Sequence, residues 1–425
     1  MYKLLIFAIN TLFLYSCAEN SVENFVKING KSIEITGKLH YFGRINQWYE
    51  AILTSHRQEM NRANILGDNT LKEPSLNYAL EADFHPIDKH ATTETKAMYS
   101  RLKELAKRGI MFGHQDDLAY GHDWFREAGR SDVKDVCGDY TAVVGWELGH
   151  IEIAATYNLD SINFDDMKQY ILQAHRRGSF NTISWHCDNI ITGNTAWDCR
   201  QNTVVKSILP GGDNHNKYKT WLDRLAAFLS DLKDDEGRPL PVMFRMYHEH
   251  TGDWFWWCSK QCTPEEYIAL WRMTLEYLRD VKQIHNLIYV YSPSDVNDVK
   301  EYLERYPGDD FVDMLGFDCY AAADKMSWYE ERMKNNLDII TRYANEVNKI
   351  ACLSETGLEG IVDTAYFTDT LYPLIENYEI SYLLLWRNAW QMKTHFYVPF
   401  AGHSSSDNFR RFIQFPRILM CKNIK

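Results

Sequence analysis

The chain has 425 residues, of which 45% are hydrophobic and 14% aromatic, and a formal net charge of −12. That is enough apolar material for one large domain of barrel size. The negative balance argues against nucleic acid or an anionic membrane surface as a partner, and no Walker loop, G-x-G-x-x-G or internal repeat is present.

Met1, Tyr2 and Lys3 precede an apolar stretch, Leu4 to Leu14, broken only by Asn10 and Thr11; Tyr15, Ser16 and Cys17 follow. A short positive start, a brief apolar core and small residues describe a secretory signal, too short for a membrane span. Leu14-Tyr15-Ser16-Cys17 resembles a bacterial lipobox, with Tyr15 bulkier than the usual residue. The resemblance implies a lipid anchor in the membrane through Cys17. It also implies export across the inner membrane as an outer-membrane lipoprotein, periplasmic or at the cell surface; the alternative is plain secretion with a free Cys17. Eight cysteines remain. Cys258 and Cys262, and Cys187 and Cys199, are nearest in sequence, and both pairing and scattered buried thiols fit the pattern.

Residues 18–90 read as a linker and N-terminal extension, with turn signals at Asn29-Gly30 and Thr36-Gly37 hinting at small strands. From Thr93 the pattern is regular. Met98, Leu102, Leu105 and Ala106 fall at helical spacing, and Gly109 stands where a helix end favours a left-handed residue. Apolar runs then alternate with helical segments. The runs are 110–112, 142–146, 180–185, 242–247, 287–291, 312–317, 350–353 and 382–385. The intervening helices are expected around 165–177, 218–232, 264–282, 298–306 and 333–347. Eight such units predict a (β/α)8 TIM barrel over residues 91–425.

Polar residues follow the runs rather than precede them. In this fold the site lies at the C-terminal strand ends, so His114, His186, Glu249, Asp318, Tyr320, Glu355, Trp386 and Arg387 are expected at one mouth. The long stretch 187–217, with Trp197, is the loop after the third strand. The richest segment is PVMFRMYHEHTGDWFWW, 241–257. It delivers Glu249 at a strand end beside an aromatic run, which suits proton transfer to a sugar, although such a run also reads as core. A zinc-protease H-E-x-x-H is excluded because position 252 is Gly252. Glu249 after the fourth run and Glu355 after the seventh face each other across such a mouth, as glycosidic hydrolysis requires of two carboxyls. Asp116, Asp117, Glu147 and Asp318 are competing carboxylates.

HEHTGDWFWW resembles the acid/base motif of glycoside hydrolase family 26, the β-mannanases and their relatives, and LSETG resembles its nucleophile motif. GHQDD at 113–117, GWELG at 145–149, SWH at 184–186, GFDCY at 316–320 and WRNAW at 386–390 follow in the family's order. The resemblance covers residues 91 to the C-terminus and implies Glu249 as acid/base and Glu355 as nucleophile. It implies that Tyr320 bonds the nucleophile and that His186, His248, Trp254, Trp386 and Arg387 contact the sugar or support the pair; Asp318 is counted with them as a sugar ligand. His250, Thr251 and Cys258 depart from the family pattern and leave both carboxyls intact. The expectation is a retaining hydrolase of β-1,4-mannosidic bonds in mannan, glucomannan or galactomannan. It would act within the chain or release mannobiose, as a monomer without metal or cofactor. The alternatives are a β-glucanase (lichenase) or β-1,3-xylanase of the same family, and a non-catalytic glycan-binding lipoprotein.

Overall fold

The computed structural model describes residues 84–425 and, apart from these, two strands, Val26–Asn29 and Ser32–Ile35. Those two pair antiparallel with Asn29 opposite Ser32, in keeping with the Asn29-Gly30 turn signal. The expected signal segment and Cys17 lie outside the described residues.

Eight parallel strands form a closed barrel. They are β1 Ile110–Gln115, β2 Val143–Glu147, β3 Phe180–Trp185, β4 Val242–Met246, β5 Leu287–Tyr291, β6 Met314–Ala321, β7 Ile350–Leu358 and β8 Tyr382–Leu385. Each pairs with the next, and β8 closes on β1 with Tyr382 opposite Met111 and Leu385 opposite His114. A short strand, Ile418–Leu419, also pairs with the start of β1. No described helix is long and apolar enough to cross a membrane.

Both faces of these strands are buried, so they read as near-continuous apolar runs. Alternation still decides which way each side chain points. Met111, Val143, Met243, Ile288, Met314, Cys352 and Leu384 form an inner cluster with the helix Thr93–Arg108. That helix touches β1, β5 and β7, strands from different sides of the barrel, and so covers its N-terminal end. Ile110, Val144, Ile183, Phe244, Tyr289, Phe317 and Leu353 point outward into the cluster shared with the surrounding helices.

Local signals set the helix ends. Thr263 and Glu266 cap the helix Pro264–Glu276 reciprocally, with Pro264 in its first turn, a device whose loss costs about 1 kcal/mol. Gly109 corrects the expectation made for it. Its φ of 173° is extended, not left-handed. It is glycine because a Cβ there would lie 2.6 Å from the carbonyl oxygen of Arg417. The eight described cysteines, Cys137 to Cys421, are all free thiols.

Candidate active site

The site starts from β4. Alternation turns Met243 and Arg245 into the barrel, and Arg245 is 1% exposed there. A buried guanidinium requires paired acceptors. Arg245 donates to Asp318 Oδ2 at 2.7 Å, to Ser292 Oγ at 3.2 Å and to Glu355 Oε1. Burial works against its charge, but Asp318 and Glu355 outweigh burial and raise its pKa.

Beyond β4 the backbone is strained. Tyr247 and Glu249 adopt φ of +49° and +54°, each at a cost of order 1–3 kcal/mol. The surroundings hold them there. The Glu249 amide donates to Ser292 O at 2.8 Å, and Tyr267 donates to Tyr247 O at 2.9 Å. The half-buried Glu249 carboxyl accepts from Trp254 Nε1 at 2.7 Å. That indole lies over Gly252, where a Cβ would come within 2.5 Å of the ring.

On β7 the inward positions are Ile350, Cys352 and Ser354, so strict alternation would point Glu355 outward. The pairing with β6 shifts register here, Phe317 opposite Leu353 but Asp318 opposite Glu355. A bulge of this kind re-aims a side chain. Ser354 donates to Asp318 Oδ1 at 2.7 Å, and Glu355 also reaches the site, where Tyr320 donates to its Oε2 at 2.5 Å. Oxygens of Glu249, Asp318 and Glu355 all lie within 4.8 Å of one another. Burial, reinforced by Glu355, pushes the Glu249 carboxyl up to about 7. Burial also raises Asp318 well above the usual range, against the pull of Arg245.

A histidine chain borders the carboxyls. Glu147 accepts from the His186 amide at 2.7 Å and pairs with His186 Nδ1 at 2.7 Å. Burial opposes a charged His186, but Glu147 wins and raises its pKa. His186 Nε2 meets His248 Nε2 at 3.1 Å. Burial, then Arg245 and His186, lower the pKa of His248 well below its ordinary value. The surroundings thus favour positive charge on His186 and disfavour it on His248.

The family model described as Glycosyl hydrolase family 26 matches residues 87–369. This chain belongs to glycoside hydrolase family 26. A GH26 β-mannanase from Bacteroides ovatus shares 45% identity at a TM-score of 0.77, covering 78% of this chain and 97% of that one. A mannan endo-1,4-β-mannosidase of Bifidobacterium adolescentis is 33% identical over 357 residues; the match spans 78% of this chain but only 35% of that enzyme's length. One from Bacillus subtilis is 26% identical, covering 72% of this chain and 82% of the enzyme.

The remaining residues of this family 26 hydrolase fall into walls around the carboxyls. Trp386, half-buried after β8, lies edge-on to His186 at 6.3 Å. Arg387 pairs with Asp160 at 3.1 Å and donates to Tyr120 at 3.4 Å, and Tyr120 donates to Asp116 at 2.5 Å. Burial raises the pKa of both Asp116 and Asp160. Asp318 is buried with both oxygens taken, and His114 is buried against Asp117 at 2.9 Å. The aromatic run after Glu249 divides. Trp254 is 39% exposed, whereas Phe255, Trp256 and Trp257 are core, with Trp256 bonding Cys187 O and Trp257 bonding His248 O. Three residues were not singled out as site residues from sequence. Arg245 carried a signal, a lone charge within an apolar strand. Glu147 stood only among competing carboxylates. Trp197, stacked on His186 at 5.0 Å and 10°, had only its place on a long loop.

Proposed function

We propose that this hydrolase cleaves β-1,4-mannosidic bonds of mannan, glucomannan or galactomannan with retention of configuration. The observation that carries the mechanism is the separation of the carboxyls. One oxygen of each lies within 4.8 Å of the other, which favours the class of roughly 5–5.5 Å used for direct attack over the inverting class at about 6.5–9.5 Å. Glu355, aimed by Arg245 and Tyr320, attacks the anomeric carbon while Glu249 protonates the departing oxygen. A carboxyl pushed up to about 7 holds that proton near neutral pH. Esterification of Glu355 removes its charge, so the proton affinity of Glu249 falls and it becomes the base for the incoming water. Trp254, His186, His248, Trp386 and Arg387 bind the sugar around this centre, and Asp318 acts through Arg245. The choice of mannan rests on the named activities of the relatives.

We further propose that residues 1–17 direct export and that Cys17 carries a lipid anchor at the outer membrane. Residues 18–90 then form an extension ahead of the catalytic domain at 91–425, which acts as a monomer. Reducing-sugar release from mannan, run beside mixed-linkage β-glucan and β-1,3-xylan, tests the substrate. Release greatest from either of the latter would replace mannan, and release from none would favour a glycan-binding protein. Early products followed by NMR are expected as the β anomer; the α anomer first would exclude double displacement. Glu249→Gln is expected to lose about 10²–10⁴-fold on mannan but little in the first step on an aryl glycoside with an activated leaving group. Equal loss on both would remove the acid role.

A further inference from the structure

Most of the large apolar side chains left exposed sit on segments that follow the C-terminal ends of strands, including Trp197 after β3, Trp254 after β4, Trp328 after β6 and Met392 after β8. Trp328 is 44% exposed and is the third residue of the helix Met326–Glu346. Nothing in the catalytic reading uses it.

Its neighbours fix the direction of this helix. Tyr329 is buried and bonds Thr356 Oγ1 of β7 at 2.8 Å. One turn after Trp328, Arg332 donates to Asp295 Oδ2 at 2.5 Å and to Asn297 Oδ1 at 2.9 Å. Asn335 donates to Val296 O at 2.9 Å. Residues 328, 332 and 335 share one helix face, so Trp328 stands on the face that leans on the loop after β5. That loop is tied to the loop after β4, where Thr251 Oγ1 meets Ser294 Oγ at 2.8 Å. Trp254, bonded to Glu249, belongs to the same loop. The loop of Trp254 and Thr251 thus meets the loop after β5 at Ser294, and that loop meets the helix of Trp328 at Asp295–Arg332. The strands β4 and β6 beneath these segments are two apart, about 10 Å, a span of more than one sugar ring. Glu249, which protonates the departing oxygen in the reading above, belongs to the same loop as Trp254 and is bonded to it, so these loops flank the leaving-group side.

We propose that Trp328 is a stacking platform for a distal sugar of the leaving chain, a β-linked pyranose whose apolar C–H face lies on the indole. The inference rests on the mannan-hydrolase reading and adds to it a specificity residue on the leaving-group side. A pyranose C–H face laid on the indole removes apolar surface of both from water. Binding energy gained there raises kcat/KM only for substrates long enough to reach it.

The test compares wild type, Trp328→Ala and Trp328→Phe on mannohexaose and on an aryl mannobioside with an activated leaving group. Trp328→Ala is expected to lower kcat/KM on mannohexaose roughly tenfold and to leave the aryl substrate unchanged; Trp328→Phe should recover most of the loss. Thermal melts should match closely, because nearly half of the side chain is exposed. Unchanged kinetics on mannohexaose would overturn the proposal, as would equal loss on both substrates. Should Trp328→Ala melt early, Trp328→Phe decides: parity of its hexaose-to-aryl rate ratio with wild type supports the platform, and a fall as deep as that of alanine overturns it. A wild-type enzyme inactive on mannohexaose would instead overturn the substrate reading beneath it.

Discussion

Replacing Glu249 by Gln removes a group that the fold disfavours when it is ionised. Burial and the neighbouring Glu355 push this carboxyl from an ordinary value of 4.5 to about 7. A folded-state pKa raised above the unfolded one means that the folded protein binds the proton more tightly. The stability linked to this proton is fully present below about pH 4.5 and is lost as pH rises through about 7. The gap corresponds to roughly 3 kcal/mol. Partial solvent access at the half-buried side chain reduces this to about 2 kcal/mol. Glutamine keeps the shape and still accepts from Trp254 Nε1, but it cannot ionise. Urea titrations are expected to show Glu249→Gln more stable than wild type by about 2 kcal/mol at about pH 8 and equal to it at about pH 4. A gain that persists unchanged at low pH, or no gain at high pH, would refute the reasoning.

Three further outcomes are expected. Arg245→Met should cost about 3–5 kcal/mol and nearly all turnover by leaving Asp318 and Glu355 buried without a cation, whereas wild-type melting would show that the clamp is dispensable. Glu355→Gln should bring the titration of Glu249 below about 7 by removing an adjacent negative charge; isotope-edited NMR of the Glu carboxyls reads this directly, and an unmoved titration would deny the coupling. Trp256→Ala, in the core, should cost about 3–5 kcal/mol, while Trp197→Ala, 48% exposed beside His186, should lower turnover with a near-native melt; the reverse pattern would relocate the cleft wall.

Much of the fold was legible in the chain. Apolar runs long enough for buried strands, spaced by amphipathic segments, specify a parallel sheet wrapped by helices, and eight of them close it. Helix boundaries were less legible. The helix expected at Met333 begins at Met326, because its first turn carries exposed Ser327 and Trp328 and has no capping side chain. The thiols near one another in sequence stay unpaired: Cys258 instead donates to Glu249 O, nine residues back, and Cys262 to Trp257 O.

The candidate site divides along the same line. Sequence alone determined which chemistry arrives at the strand ends, because alternation is local. With Met243 and Met314 inside, Arg245, Asp318 and Tyr320 follow them inward at every second position. Tertiary structure decided what those residues meet. Glu355 stands at an outward position and reaches the carboxyl cluster only through the β6–β7 register shift. Glu249 is held beyond its strand in a left-handed conformation by Ser292, just past β5, and Tyr247 before it by Tyr267 of the helix after β4. Register and strain arise from pairing between distant segments, and periodicity along one segment carries no record of them.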